Sequence, residues 1–205
     1  MNTNEFDKEY YLVNVDGASN HPLLTWGDTD DELFIYPKPV DEDHEDLELP
    51  LKIKFSKPYP KQPEFVDILF LDGDLVVSEK VKLCLEKINI YGVQFFPVEI
   101  ETDKKKKVDK YYLFHAWNRI SAVDKNNYVG GDINEWGRIQ GLDKFSLDKN
   151  VIESIFLDKR LIFHLGESTS NILIHKNVYD VLKAENVTGF SFFRIDEWDD
   201  NAMFR

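Results

Sequence analysis

An α+β fold follows from three features of the sequence: a phrase written twice, a change of hydrophobic period inside each copy, and turn-bounded β-rich runs around both. "LVVSEKVKLCLEKINIYGVQFFPV" (75–98) aligns without a gap on "ILIHKNVYDVLKAENVTGFSFFRI" (172–195), a shift of 97 residues. Val81/Val178, Leu85/Leu182, Asn89/Asn186, Gly92/Gly189, Phe95/Phe192 and Phe96/Phe193 are identical, and apolar character matches at seven further positions. The expected architecture is mixed or largely antiparallel sheets carrying two equivalent strand–helix–strand units.

The elements follow in order. "EYYLVNV" opens the chain as a strand. Six prolines between Pro37 and Pro63 predict an irregular stretch, with one strand at "LPLKIKF". "LDGD" (71–74) resembles a calcium-loop fragment, but it lacks the later ligands of such a loop, and Asp-Gly between strands signals a hairpin. In the first unit, Leu75–Val77 is a short β-branched strand. Ser78 is an N-cap with Glu79 in the first turn, and Val81, Cys84, Leu85 and Ile88 recur at helical spacing. Gly92 breaks the helix where a positive φ is cheap only for glycine, and "VQFFPVEI" resumes as a strand. A hairpin with a lysine-rich tip leads to "KVDKYYLFHAWN". "VIESIFLDKRLIFHLGES" reads as two strands about the "DKR" turn. The second unit then repeats the first, with His175 at the capping position of Ser78 and Gly189 as the breaker. Two parts are expected: an N-terminal strand with an acidic, proline-rich region over 1–60, and an α+β domain over 61–205, with one continuous domain as the alternative.

The 205 residues are 42% hydrophobic and 31% charged, a globular balance. No apolar run approaches the roughly 20 residues of a membrane helix, and "MNTNEFDKEYYLV" has no signal-peptide pattern. A single cysteine, Cys84, excludes an intrachain disulfide, so a cytoplasmic protein is expected. The net charge of −13 argues against nucleic acid or an anionic membrane as ligand, and permits a basic protein partner. The charge is concentrated: ten acids (Asp28, Asp30, Asp31, Glu32, Asp41, Glu42, Asp43, Glu45, Asp46, Glu48) stand against one base, Lys38, from 28 to 48.

A search for chemistry yields no catalytic set. HExxH, CxxC, P-loop and GxSxG patterns are absent. His115 and His164 lie in strand runs, His175 caps a helix, and Cys84 sits on an apolar helix face. "DEDHEDLE" (41–48) offers carboxylates around His44 for a divalent metal, but a proline-bounded run of like charges normally stays solvated. No catalytic residue, metal or cofactor is assigned. Surface recognition is the stronger signal. "WGDTDDE" (26–32) and "DEWDD" (196–200) each set a tryptophan among carboxylates, so Trp26 and Trp198 are candidate anchors. The acids listed above, with Glu197, Asp199 and Asp200, form a candidate rim that steers a basic partner. The bland alternative places both indoles in the core with the acids facing water.

The order of these runs resembles a family of bacterial immunity proteins encoded beside polymorphic toxins, the Myxococcus-type immunity domain. Val77-Ser78-Glu79, the strand Gly92–Val98, Tyr111-Tyr112-Leu113, Val123-Asp124 and Thr188-Gly189-Phe190 match its pattern, over roughly residues 60–195. His175-Lys176 departs from it, where Ser-Glu would repeat the first helix start. The resemblance implies a cytoplasmic inhibitor that binds a cognate toxin and carries no catalytic residues. Two other classes stay open: a small enzyme with a site built from carboxylates and His115 or His164, and a non-catalytic adaptor.

Overall fold

The structure is a computed structural model that describes residues 4–15, 20–28, 32–59 and 61–199. Its first elements are β1 (Tyr10–Val15), β2 (Leu24–Trp26), α1 (Glu32–Ile35), β3 (Leu51–Phe55), β4 (Ile68–Leu71), β5 (Asp74–Ser78) and α2 (Glu79–Leu85). There follow β6 (Val93–Glu101), β7 (Lys107–Ala116), β8 (Arg119–Ile120), β9 (Val123–Val129), β10 (Lys144–Leu147) and α3 (Lys149–Ser154). The last are β11 (Ile162–Leu165), β12 (Ser168–His175), α4 (Lys176–Ala184) and β13 (Phe190–Arg194). Among the described residues these strands form a closed barrel, β2-β3-β6-β7-β5-β4, a sheet β13-β1-β12-β11-β8, and a β9–β10 ladder. Pairing is both parallel and antiparallel, as an α+β fold with mixed sheets requires. Of the first 60 residues, β1 enters the open sheet, while β2 and β3 enter the barrel.

Both repeated units are strand–helix–strand, β5-α2-β6 and β12-α4-β13. Their caps are equivalent: Ser78 Oγ accepts from the Val81 N–H, and the His175 side chain accepts from the Asn177 N–H. Their two strands do not pair with each other. An antiparallel strand lies between them, β7 in the first unit and β1 in the second. The registers coincide. Val76, Val77 and Ser78 face Leu113, Tyr112 and Tyr111; their counterparts Leu173, Ile174 and His175 face Leu12, Tyr11 and Tyr10. On the other side Phe95 and Phe96 face Phe114 and Leu113, and Phe192 and Phe193 face Val13 and Leu12. The preceding hairpins match too, with Ile68 opposite Val77 and Ile162 opposite Ile174. The repeat is therefore a four-stranded unit. Its inserted strand "YYL" is written at 111–113 for one copy and at 10–12 for the other.

Side-chain alternation along these strands creates three cores. One face of each unit meets the other in a shared layer. There Leu75, Val77, Val81 and Leu85 pack with their counterparts Ile172, Ile174, Val178 and Leu182. The opposite face of the first unit fills the barrel with Val76, Phe96, Leu113 and Leu69. That of the second packs Leu173, Phe193, Leu12 and Phe163 with residues of β9, β10 and α3. Each buried aliphatic side chain contributes about 1.5–3 kcal/mol.

A polar tie closes the seam between the units. Asp67, just before β4, accepts from Ser78 Oγ at 2.8 Å and from the Thr188 N–H at 3.0 Å, and Lys80 Nζ lies 2.6 Å away. Thr188 belongs to the turn after α4, so one carboxylate joins the α2 cap to the other unit. Burial alone would raise the Asp67 pKa; the Lys80 and Ser78 bonds and the Thr188 N–H outweigh it and hold the carboxyl below its ordinary range.

One expected strand is a helix. "VIES" lies within α3, because the Asp148 side chain caps it by accepting from the N–H groups of Asn150 and Val151. A 3₁₀ turn, Leu157–Lys159, then leads into β11. The "LDGD" stretch makes the β4–β5 turn, with Asp72 and Gly73 both at positive φ.

Candidate functional site

Over its described residues, 28 and 32–48, the acidic segment has the short helix α1 and is otherwise irregular. Phe34 and Val40 are buried in the barrel core, Leu33 and Leu47 pack against it, and Ile35 and Tyr36 are exposed. Gln94 clamps the segment at Val40 with two bonds of 2.8 Å, to the N–H and to the carbonyl. Local bonds hold the rest. The Asp43 N–H donates to Asp41 Oδ1, and the Leu47 N–H donates to the His44 carbonyl. The described part of the segment is thus held against the barrel by Phe34 and Val40, with its acids outside.

Asp28, Glu32, Asp41, Glu42, Asp43, Glu45, Asp46 and Glu48 are all exposed. Among the described residues, none of the six acids from Asp41 to Glu48 makes an ion pair with lysine or arginine; Asp46 approaches only His44, at 3.8 Å. Asp30, Asp31 and Asp200 lie outside the described residues. The C-terminal acids are differently placed. Glu197 pairs with Arg194, which also holds Asp196, and Asp199 is half-buried and engaged.

Neither expected tryptophan stands free. Trp26 is half-buried and stacks on Phe34, with ring centroids 5.8 Å apart. Trp198 is 3% exposed and packs edge-on to Phe145 in the outer core, so as a surface anchor it is corrected to a core pin. The two acidic clusters flank different cores, one on the barrel and one beyond the open sheet. Trp136, which sequence reasoning passed over, is 76% exposed. It rides a turn fixed by Asn134 Oδ1, which accepts from the N–H groups of Trp136 and Arg138. Its signal was the turn-forming "NEWGR".

The histidines meet at a pocket of about 160 Å³ at the junction of barrel and open sheet. His115 Nε2 lies 2.9 Å from the Lys38 carbonyl, and His164 Nδ1 lies 2.7 Å from the Thr169 carbonyl. Burial pushes both pKa values down, partly offset by those carbonyls, so both rings are neutral at pH 7. Arg119 also lines the pocket and lies opposite His164 in the parallel β8–β11 pair. No spacing in the sequence signals that meeting, because 45 residues separate the two.

Other reactive groups are structural. His175 is buried, caps α4, and has Glu9 3.5 Å away. Cys84 is buried, and burial raises its pKa, which leaves a thiol rather than a thiolate. Glu167 is buried and accepts from the N–H groups of Ala122 and Val123. Among the described residues no three His, Cys, Asp or Glu side chains group as metal ligands. No helix among them is long and apolar enough to cross a membrane.

The acidic cover is pinned to the barrel, and His115, His164, His175 and Cys84 are held by the scaffold. The model of the immunity protein family Imm11 matches residues 8–197. The chain belongs to the Imm11 immunity protein family. The match takes in the acidic cover, both repeated units and the inserted strand β1, so this Imm11 chain has the family signature across both sheets. Membership points to an immunity function. A search of curated proteins gives no match.

Proposed function

We propose that this Imm11 protein is a cytoplasmic, stoichiometric inhibitor that binds a cognate toxin with a basic surface. No reaction and no cofactor is involved, and nucleic acid and membrane are not its ligands. The acidic cover, residues 28–48, is the main recognition surface. One observation carries this: the acids from Asp41 to Glu48 are exposed and free of Lys and Arg partners among the described residues, on a segment clamped to the barrel. A preorganised run of unpaired charge loses little order on binding and attracts an oppositely charged partner at long range. The tail acids contribute less, since Glu197 already has Arg194. Trp26, half-exposed beside the cover, and Trp136 supply the aromatic contacts.

The test is binding kinetics against the toxin encoded beside the gene, at low and high salt. Neutralising Asp41, Glu42, Asp43, Glu45 and Asp46 together slows association and flattens its salt dependence, with folding unchanged. Association at the wild-type rate in both salts would remove the cover from the interface. Absence of protection on co-expression with that toxin would sink the immunity reading itself.

A further inference from the structure

The pocket beside His115 and His164 has in its lining an arginine, Arg119, that pairs with no acid among the described residues. In a chain of 38 acids and 25 bases, Arg119 and Arg138 have neither an ion pair nor a side-chain hydrogen bond among the described residues. Arg160 and Arg194 are by contrast both engaged, by Tyr10 Oη and by Asp196. Arg119 is exposed, and partial desolvation, then the like charge of Arg138, lower its pKa. Trp117 also lines the pocket, and its Nε1 is buried with no acceptor among the described residues.

Shape and charge together select a ligand class. With both imidazoles neutral, the pocket lining has one full positive charge, Arg119. Asp74, the acid in the lining, has a partner of its own and is not among the charges that shift Arg119. A monoanion fits this balance; a dianion such as phosphate meets a single charge inside a strongly negative protein. A carboxylate presents two oxygens to the guanidinium fork. Phe34, Ile35, Tyr36 and Pro37 line the pocket beside Arg119, and the methylenes of a glutamate would lie against this stretch. This stretch is itself part of the acidic cover: the adjacent Lys38 carbonyl bonds His115, and the exposed acids resume at Asp41.

We propose that this pocket is a carboxylate subsite in which Arg119 holds an acidic side chain of the toxin, while the neighbouring cover meets the toxin's basic surface. The proposal rests on the immunity reading above. A cationic socket set in an anionic surface fixes the register of the partner, because any shifted pose sets like charges against each other.

The first arm of the test needs no toxin. N-acetylglutamic acid α-methylamide, whose side-chain carboxylate is its one charge, is titrated into the full chain at neutral pH and low salt, and the indole N–H resonances are followed by NMR. The Trp117 resonance shifts saturably, and that of core Trp198 does not. Arg119→Gln weakens the apparent Kd by about tenfold or more, and Arg119→Lys, which keeps the charge without the fork, falls between. Phosphate run in parallel binds more weakly. A shift that never saturates, an unchanged response in Arg119→Gln, or tighter binding of phosphate overturns the carboxylate assignment. The second arm uses the cognate toxin. Arg119→Gln dissociates about tenfold faster or more at an unchanged association rate, the reverse of the five-acid variant. Wild-type dissociation overturns the toxin as the source of the carboxylate, and binding of the glutamate amide without it identifies a free small carboxylate instead. A wild-type chain that forms no complex with the toxin refutes the immunity reading, on which the first arm does not depend.

Discussion

Replacing Gly189 with alanine tests the seam between the two repeated units. The residue has φ +94°, and an added Cβ would lie 2.3 Å from the Ile68 carbonyl oxygen and 2.6 Å from Val66 Cγ2. The first contact is with backbone of β4, which cannot rotate away. Two costs combine: positive φ for a non-glycine residue, about 1 kcal/mol, and overpacking against a fixed neighbour, about 1–3 kcal/mol. The sum is about 2–4 kcal/mol, which for a chain of this size lowers Tm by roughly 4–16 °C. Gly73→Ala separates the two costs, because Gly73 has φ +110° and nothing within 4 Å of its added Cβ. Gly92→Ala is the equivalent in the first unit, at φ +85°, with Asn118 Cβ 2.3 Å away. Calorimetric or circular-dichroism melting should therefore rank Gly73→Ala well above Gly92→Ala and Gly189→Ala. If Gly189→Ala melts no lower than Gly73→Ala, close packing of the seam is not what requires glycine there.

Asp67→Asn removes a carboxylate with a depressed pKa, so its stabilisation is present above the unfolded pKa, near 4, and is lost as pH falls through the folded value. The variant loses about 1–3 kcal/mol at neutral pH, and denaturant midpoints for the two proteins converge in acid; parallel curves would contradict the sign. Trp198→Ala, which empties a site beside Phe145, costs about 3–5 kcal/mol in urea unfolding, yet leaves toxin affinity of the folded protein unchanged. Cys84→Ala keeps full protection in co-expression assays, since a buried thiol held in its protonated form is no nucleophile. Titrating toxin activity with the wild-type chain gives a linear loss to an equivalence point; complete inhibition at far lower ratios would indicate an enzyme.

Local chemistry explains which parts of the fold could be read from sequence. The helix starts at Ser78 and His175, the breaker glycines and the Asp-Gly turn each depend on a few adjacent residues, and each appears where expected. The helix α3 was missed because "VIESIF" has β-branched and aromatic residues, while its cap, Asp148, sits outside the run. The inserted strand was missed for a different reason. Tyr10-Tyr11-Leu12 and Tyr111-Tyr112-Leu113 are identical, but one precedes its unit by more than 150 residues and the other follows its unit directly. A search at a fixed shift does not connect them; strand pairing does. The acids of the cover were found because charge is visible in sequence. The inward turn of Trp198 and the meeting of Arg119 with His164 are products of tertiary packing alone.

The duplicated architecture also bears on where recognition can vary. In each unit one face is buried in the shared layer, and the other is filled by a separate core, so the repeated strands have no free face to change. Substitution there carries the cost of a cavity or of overpacking. The acidic cover lies outside the repeat, between β2 and β3, and so do the Trp136 turn and β8 with Arg119. These segments have no counterpart in the other copy and can diverge without disturbing its register. The inhibition proposed above would use that division. The two matched units hold three cores in place, and the unmatched segments present an acidic cover and a cationic pocket whose spacing the scaffold fixes.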